Sequence, residues 1–183
     1  MIWLIVLIVI VVLLALVGLF LYNGLIKKRN RVENAWSQID VQLKRRQDLI
    51  PNLVETVKGY AAHERGTLDA VVQARNAAAS ATGPAAAAQA DNQITGALRQ
   101  LFALSEAYPD LKADTSFLAL QEELSATEGK VAYARQFYND SVLDYNTGIQ
   151  TFPAALIATR IGFRQREYFE ADEGAREAPT VQF

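Results

Sequence analysis

The side chains able to do acid–base or metal chemistry are few and poorly grouped. The chain of 183 residues has one histidine, His63, and no cysteine. Without a thiol there is no thiolate nucleophile, no disulfide and no thiol lipidation site. A di-iron site inside a helical bundle takes a Glu-x-x-His pair from each of two helices, and His63 supplies at most one. A tetrahedral zinc site built on it would need three carboxylates. The carboxylate pairs Glu122-Glu123 and Glu167/Glu170 fit solvated helix faces better than acid–base dyads. No G-x-S-x-G, H-E-x-x-H, Walker loop or G-x-G-x-x-G occurs. The sequence therefore offers no catalytic, cofactor-binding or metal-ligating residues, and a hydrolase or metal enzyme is the least supported class. His63 itself, in a glycine-flanked stretch, is expected to be a surface or capping residue.

The pattern is sharper where residue types contradict their neighbours. Arg46 falls where a helical seam calls for an apolar side chain. Pro51 lies inside the same seam, so it should kink the helix and free the carbonyl of Gln47. Tyr138-Asn139 and Tyr145-Asn146 recur at seven residues on one helical face, as core rings with a polar rim would.

The element that positions all of these is the start of the chain. Ile2 to Tyr22 is 21 residues without a charge, and about 20 apolar residues at 1.5 Å each cross a hydrocarbon core of ~30 Å. A cleavable signal peptide would have a basic start, a shorter apolar core and a small-x-small site. A buried core helix rarely runs so long with no polar face. Trp3 and Tyr22 sit at the two ends, the level amphipathic rings prefer. Lys27, Lys28, Arg29 and Arg31 follow at once, which predicts a single-pass protein with the N-terminus outside and everything after the span cytoplasmic.

The formal net charge of −2 hides an asymmetry. Residues 22–60 carry eight Lys/Arg against four Asp/Glu, and residues 61–183 carry ten against sixteen. The basic share lies nearest the membrane, where each basic residue interacts with anionic lipid at roughly 1 kcal/mol. The remainder is acidic, which argues against nucleic-acid binding.

Beyond the anchor the spacing is helical throughout, with no strand alternation. Val32, Trp36, Ile39, Leu43, Arg46, Ile50, Leu53 and Val57 form one seam, predicting a helix over about 25–58. A break is expected in 59–66, then a helix from Thr67 to about Ala79. Gly83-Pro84 opens a third helix, ended by Tyr108-Pro109-Asp110. A fourth runs from about Ser116 to Gly148 until Thr151-Phe152-Pro153 stops it. The predicted fold class is all-α: one N-terminal transmembrane helix followed by an antiparallel, up-down four-helix bundle. The divisions are an anchor at 2–22, a basic neck at 23–31, a bundle at 25–150, a short apolar and aromatic segment at 152–170 and a disordered tail at 171–183. Setting Tyr60 level with Phe117 brings Arg46 beside Glu128, predicting an ion pair inside or at the edge of the bundle. Trp36, Pro51, Tyr138 and Tyr145 are the other structural residues of this frame. In such a bundle the 152–170 segment returns to the basic neck. Phe152, Phe163 and Phe169 then either cap the bundle of their own chain or are candidates for contact with a neighbouring subunit, with the arginines among them candidates for contact with lipid headgroups.

Tyr22-Asn23, Arg31-Val32, Ala35-Trp36, Arg45-Arg46, Asp48 to Val54, Lys58-Gly59-Tyr60, His63-Glu64 and Ala74-Arg75 strongly resemble the LemA family. So do Tyr138-Asn139, Tyr145-Asn146, Phe152-Pro153 and Gly162-Phe163. The resemblance keeps order and spacing over nearly the whole chain. It implies a bacterial protein with one N-terminal span and a cytoplasmic helical bundle, among relatives linked to intracellular membrane compartments or grouped with membrane proteases and signalling systems. It carries over no catalytic residue. The expected function is that of a membrane-anchored structural protein that self-associates and organises or shapes the inner membrane. Its partners would be the bilayer and further copies of itself. The alternative is a regulatory adaptor that docks to another membrane protein such as a protease or sensor kinase.

Overall fold

Helical propensity carries the first helix much further than one bundle element, through the proline at position 51. In the computed structural model, which describes residues 1–170, α1 runs from Ile2 to Tyr60. The span, the neck and the first bundle helix, expected as successive segments, are one helix of 59 residues. Nothing between Tyr22 and Leu25 interrupts the hydrogen-bond ladder, and Pro51 lies inside α1 without ending it. The expected disordered tail falls outside the described residues.

The break expected at 59–66 is present, at Ala61 to Glu64, and α2 follows from Arg65 to Ser80. Helix α3 spans Pro84–Ser105. Gly83 before it has φ +87°, a left-handed conformation that side-chain-bearing residues avoid, and Pro84 takes the first helical position, where its missing N–H costs nothing. The third helix ends three residues sooner than the Tyr108-Pro109-Asp110 signal suggests. Pro109 instead opens α4, a single turn over Pro109–Lys112, because proline suits a helix start as well as a stop. Helix α5 spans Thr115–Gln150. Asp114 caps it, accepting the Phe117 N–H on Oδ1 at 2.8 Å. A 3₁₀ turn, Ala154–Leu156, follows. All described regular structure is helical.

The chain divides into two compact units. One joins Met1–Trp36 to Phe137–Arg166. Its buried side chains include Leu25, Val32 and Ala35 of α1, Tyr138, Val142 and Tyr145 of α5, and Ala154, Ala158 and Phe163 beyond it. The other unit joins Ser37–Gln136 to residues 167–170. Its core takes Ile50, Leu53 and Val57 from α1, Leu68 and Val71 from α2, Ile94, Leu98 and Leu101 from α3, Leu111 from α4, and Phe117 and Leu124 from α5. Full burial of one such side chain stabilises by about 1.5–3 kcal/mol. Phe102 meets Phe117 edge-on, centroids 6.1 Å apart. Tyr60 donates to Asp114 Oδ2 at 2.9 Å, three residues before the Phe117 with which the sequence set it level.

Candidate functional site

Among the described residues, no side chain packs over the most apolar part of α1. Its most apolar 18-residue window is 0% buried, and Trp3 is 86% exposed. Side chains of this kind require an apolar environment from outside, and the window is long enough to cross a membrane.

Just beyond it, the basic neck is held by aromatic and acidic groups of α5 and the segment after it. Lys28 pairs with the Asp144 carboxylate. The Arg29 guanidinium lies over the Phe163 ring at 5.7 Å, and that of Arg31 over Phe137 at 5.4 Å. Lys27 is exposed. Tyr22 and Phe163 meet edge-on, centroids 5.8 Å apart. Trp36 packs on Tyr138 at 5.7 Å.

The Tyr145-Asn146 pair gains a definite role here. The Tyr145 hydroxyl donates to the Arg164 carbonyl oxygen at 2.9 Å. Asn146 uses both ends of its amide: Nδ2 donates to the Arg166 carbonyl oxygen and Oδ1 accepts the Arg166 N–H, each at 2.9 Å. A side-chain amide thus holds both polar groups of one backbone residue, and the Arg166 guanidinium reaches Glu33 at 3.1 Å. These bonds fix the chain after Phe163 against α5.

That placement corrects the expected subunit contacts. Phe163 and Phe169 are 3% and 2% exposed, buried in their own chain. Of the three candidate rings only Phe152, 80% exposed, is presented outward. The sequence could not separate them, because the segment follows no helical period once Pro153 has stopped α5.

In the second unit Arg46 is 1% exposed. Its expected partner, Glu128, is near, at 3.8 Å, but the principal partner is Asp91 of α3, whose Oδ1 accepts from a terminal guanidinium nitrogen at 2.6 Å. Burial pushes the Asp91 carboxyl above the usual carboxylate range, against the pull of Arg46. Glu128, with its side chain 54% exposed, stays at the rim of the pair. The Arg45–Glu123 pair nearby is half-exposed on both sides, so it contributes little. The missed residue left a trace: Asp91, Ile94, Leu98 and Leu101 are spaced three, four and three, which puts Asp91 on the apolar face of α3.

A cleft of about 650 Å³ lies among Ser37, Val41, Gln42, Ala126, Gly129, Tyr133 and Ala134. Val41 and Tyr133 are 60% and 74% exposed. His63 is exposed in the turn between α1 and α2. No three His, Asp or Glu side chains converge on a possible metal position among the described residues.

Comparison with known proteins places these elements in a family. The protein LemA of Metamycoplasma hominis is 30% identical over 82% of this chain and 69% of its own length. The magnetosome protein MamQ of Magnetospirillum gryphiswaldense is 24% identical over 87% of this chain and 68% of its own. Magnetosome protein MamQ 1 of Paramagnetospirillum magneticum matches to the same extent. The LemA family model matches residues 35–183, which takes in Trp36, the Arg46 cluster and the Asn146 clasp and leaves out the apolar start. The chain belongs to the LemA family.

Proposed function

We propose that this chain is a membrane-anchored structural protein that self-associates and organises or shapes the bacterial inner membrane, with no catalytic step of its own. In this reading residues 2–22 cross the bilayer with the N-terminus outside. Lys27, Lys28, Arg29 and Arg31 hold the rest on the cytoplasmic side. Helices α1, α2, α3 and α5 pack there as an up-down, antiparallel four-helix bundle, with α1 and α5 as coiled neighbours. The observation that carries the reading is the wholly exposed apolar window of α1. Relatives named as magnetosome proteins point the same way.

Self-association draws support from the cleft beside Val41 and Tyr133. Large exposed apolar side chains there flank Ala126, Gly129 and Ala134, small residues that let another helix approach. Shared anchoring in two dimensions raises the effective concentration, so a modest lateral contact suffices. The test is the size of the full chain purified alone in detergent, by mass photometry. A homo-oligomer that shrinks on Tyr133→Glu is expected. A single-chain species that gains mass only with another membrane protein would replace this reading with the adaptor.

A further inference from the structure

The short turn that follows α5 is built inside out for a water-facing segment. Ala154 and Ala158 of this turn are buried, at 5% and 0% exposure, and Ile157 is half-buried. Three of its large side chains face outward: Phe152 is 80% exposed, Leu156 64% and Ile161 45%. Arg160 and Arg164 are exposed beside them, and no Asp or Glu occurs between Asp144 and Glu167. Large apolar side chains interleaved with arginines, without acids, match the chemistry of an anionic lipid surface.

Two contacts set the level of this turn along α1. Gly148, near the end of α5, lies so close to α1 that a Cβ there would come 3.1 Å from Lys28 Cδ and 3.5 Å from Leu25 Cδ2. On the far side of the turn, Phe163 returns against the ring of Tyr22 and under the guanidinium of Arg29. The turn is therefore bracketed by Leu25 and Tyr22, which differ by about 5 Å of helix rise. Tyr22 closes the apolar run, at the level where aromatic rings meet headgroups. The Tyr145 and Asn146 bonds to the backbone at Arg164 and Arg166 hold the returning chain in place.

We propose that the turn carrying Phe152, Leu156 and Ile161 seats in the acyl–headgroup boundary of the bilayer that α1 crosses, with Arg160 and Arg164 against anionic headgroups. The chain then holds the membrane at two points, the span and this turn, and the second fixes how α5 is presented at the surface. A second copy of the chain is the competing occupant.

The inference rests on the reading of residues 2–22 as a span, so the two are measured separately. The full chain is reconstituted in phosphatidylethanolamine–phosphatidylglycerol vesicles, and flotation with the vesicles reports the span. The chain has no cysteine, so Leu156→Cys and, for comparison, His63→Cys in the exposed turn between α1 and α2 each give one site for an environment-sensitive nitrobenzoxadiazole label. At Leu156→Cys, quenching by lipids spin-labelled near the headgroup and several-fold weaker quenching by aqueous iodide are expected. At His63→Cys the order reverses. A chain that floats while iodide quenches both sites equally overturns the turn's seat in the membrane and leaves the span intact. A label at Leu156→Cys shielded from both quenchers, with bifunctional crosslinking between two chains there, overturns it in favour of the second copy. Failure to float removes both readings.

Discussion

Arg75 donates from Nε to the carbonyl oxygen of Gln47 at 3.4 Å. That carbonyl is the one Pro51 leaves without its helical N–H, since proline has none to give to the residue four positions back. The arginine on α2 thus replaces the missing bond of α1, and the proline in the seam is compensated from outside its own helix.

If the compensation holds, Arg75→Met should destabilise the protein by about 1–2 kcal/mol, the cost of a part-buried carbonyl left without a donor. In a Pro51→Ala background the helical N–H of residue 51 returns, and the same Arg75→Met change should cost much less. Chemical denaturation of the four proteins gives the coupling directly. Equal costs in the two backgrounds would show that Arg75 acts elsewhere.

The Arg46–Asp91 pair makes a different demand, because Arg46 is 1% exposed and cannot be rescued by water. Arg46→Met leaves the Asp91 carboxylate in the core without its cation, a loss of roughly 3–5 kcal/mol at neutral pH. Arg46→Met with Asp91→Leu should recover most of it, while Glu128→Gln, at the exposed rim, should cost less than about 1 kcal/mol. The sign of the pH dependence follows from the raised Asp91 pKa, raised further once Arg46 is gone. A carboxyl titrating higher in the folded state than in the unfolded state contributes fully below its unfolded pKa, and that contribution is lost as pH rises through the folded value. The deficit of Arg46→Met should therefore narrow as the pH falls toward 4. Thermal melts of the single and double variants at pH 7 and near pH 4 decide it. A pH-independent deficit would mean that Asp91 is not the group left stranded.

These pairs show how far the residues alone carry the structure. The helical class, the order of the four longer helices and the break after α1 were legible because seam spacing and Gly/Pro punctuation are local signals, while the single turn α4 was not. The oddness of Arg46 and Pro51 was legible as well, but not their partners. Asp91 lies in the first half of α3, where an alanine-rich start masks the apolar face, so the geometry that selects it over Glu128 exists only once α3 is docked. Arg75 is an unremarkable polar residue of α2 until Gln47 is seen to lack a donor. The continuity of the span with the first bundle helix was missed for another reason: the pattern changes from uniform apolarity to a seam at Tyr22, yet a change of environment along a helix does not require a break in it. The outward turn at 152–161 could not be sorted into buried and exposed side chains because no regular period governs it.

Asp114 makes the last prediction, and its sign is opposite to that of Asp91. The Phe117 backbone N–H, then the Tyr60 hydroxyl, hold its carboxyl below the usual carboxylate range. One oxygen caps α5 and the other ties it to the end of α1, so both bonds favour the charged form. A carboxylate whose folded pKa is depressed contributes stability above its unfolded pKa and loses it as pH falls through the folded value. Asp114→Ala should therefore lower the melting temperature most at neutral pH, and the gap to the parent should close as the pH drops below about 4. Asp114→Asn keeps an acceptor for the Phe117 N–H and should fall between the two, with no such closure. Parallel melts of the three proteins from pH 7 to pH 3 check this. A gap that stays constant into acid would show that Asp114 acts through packing and not through its charge.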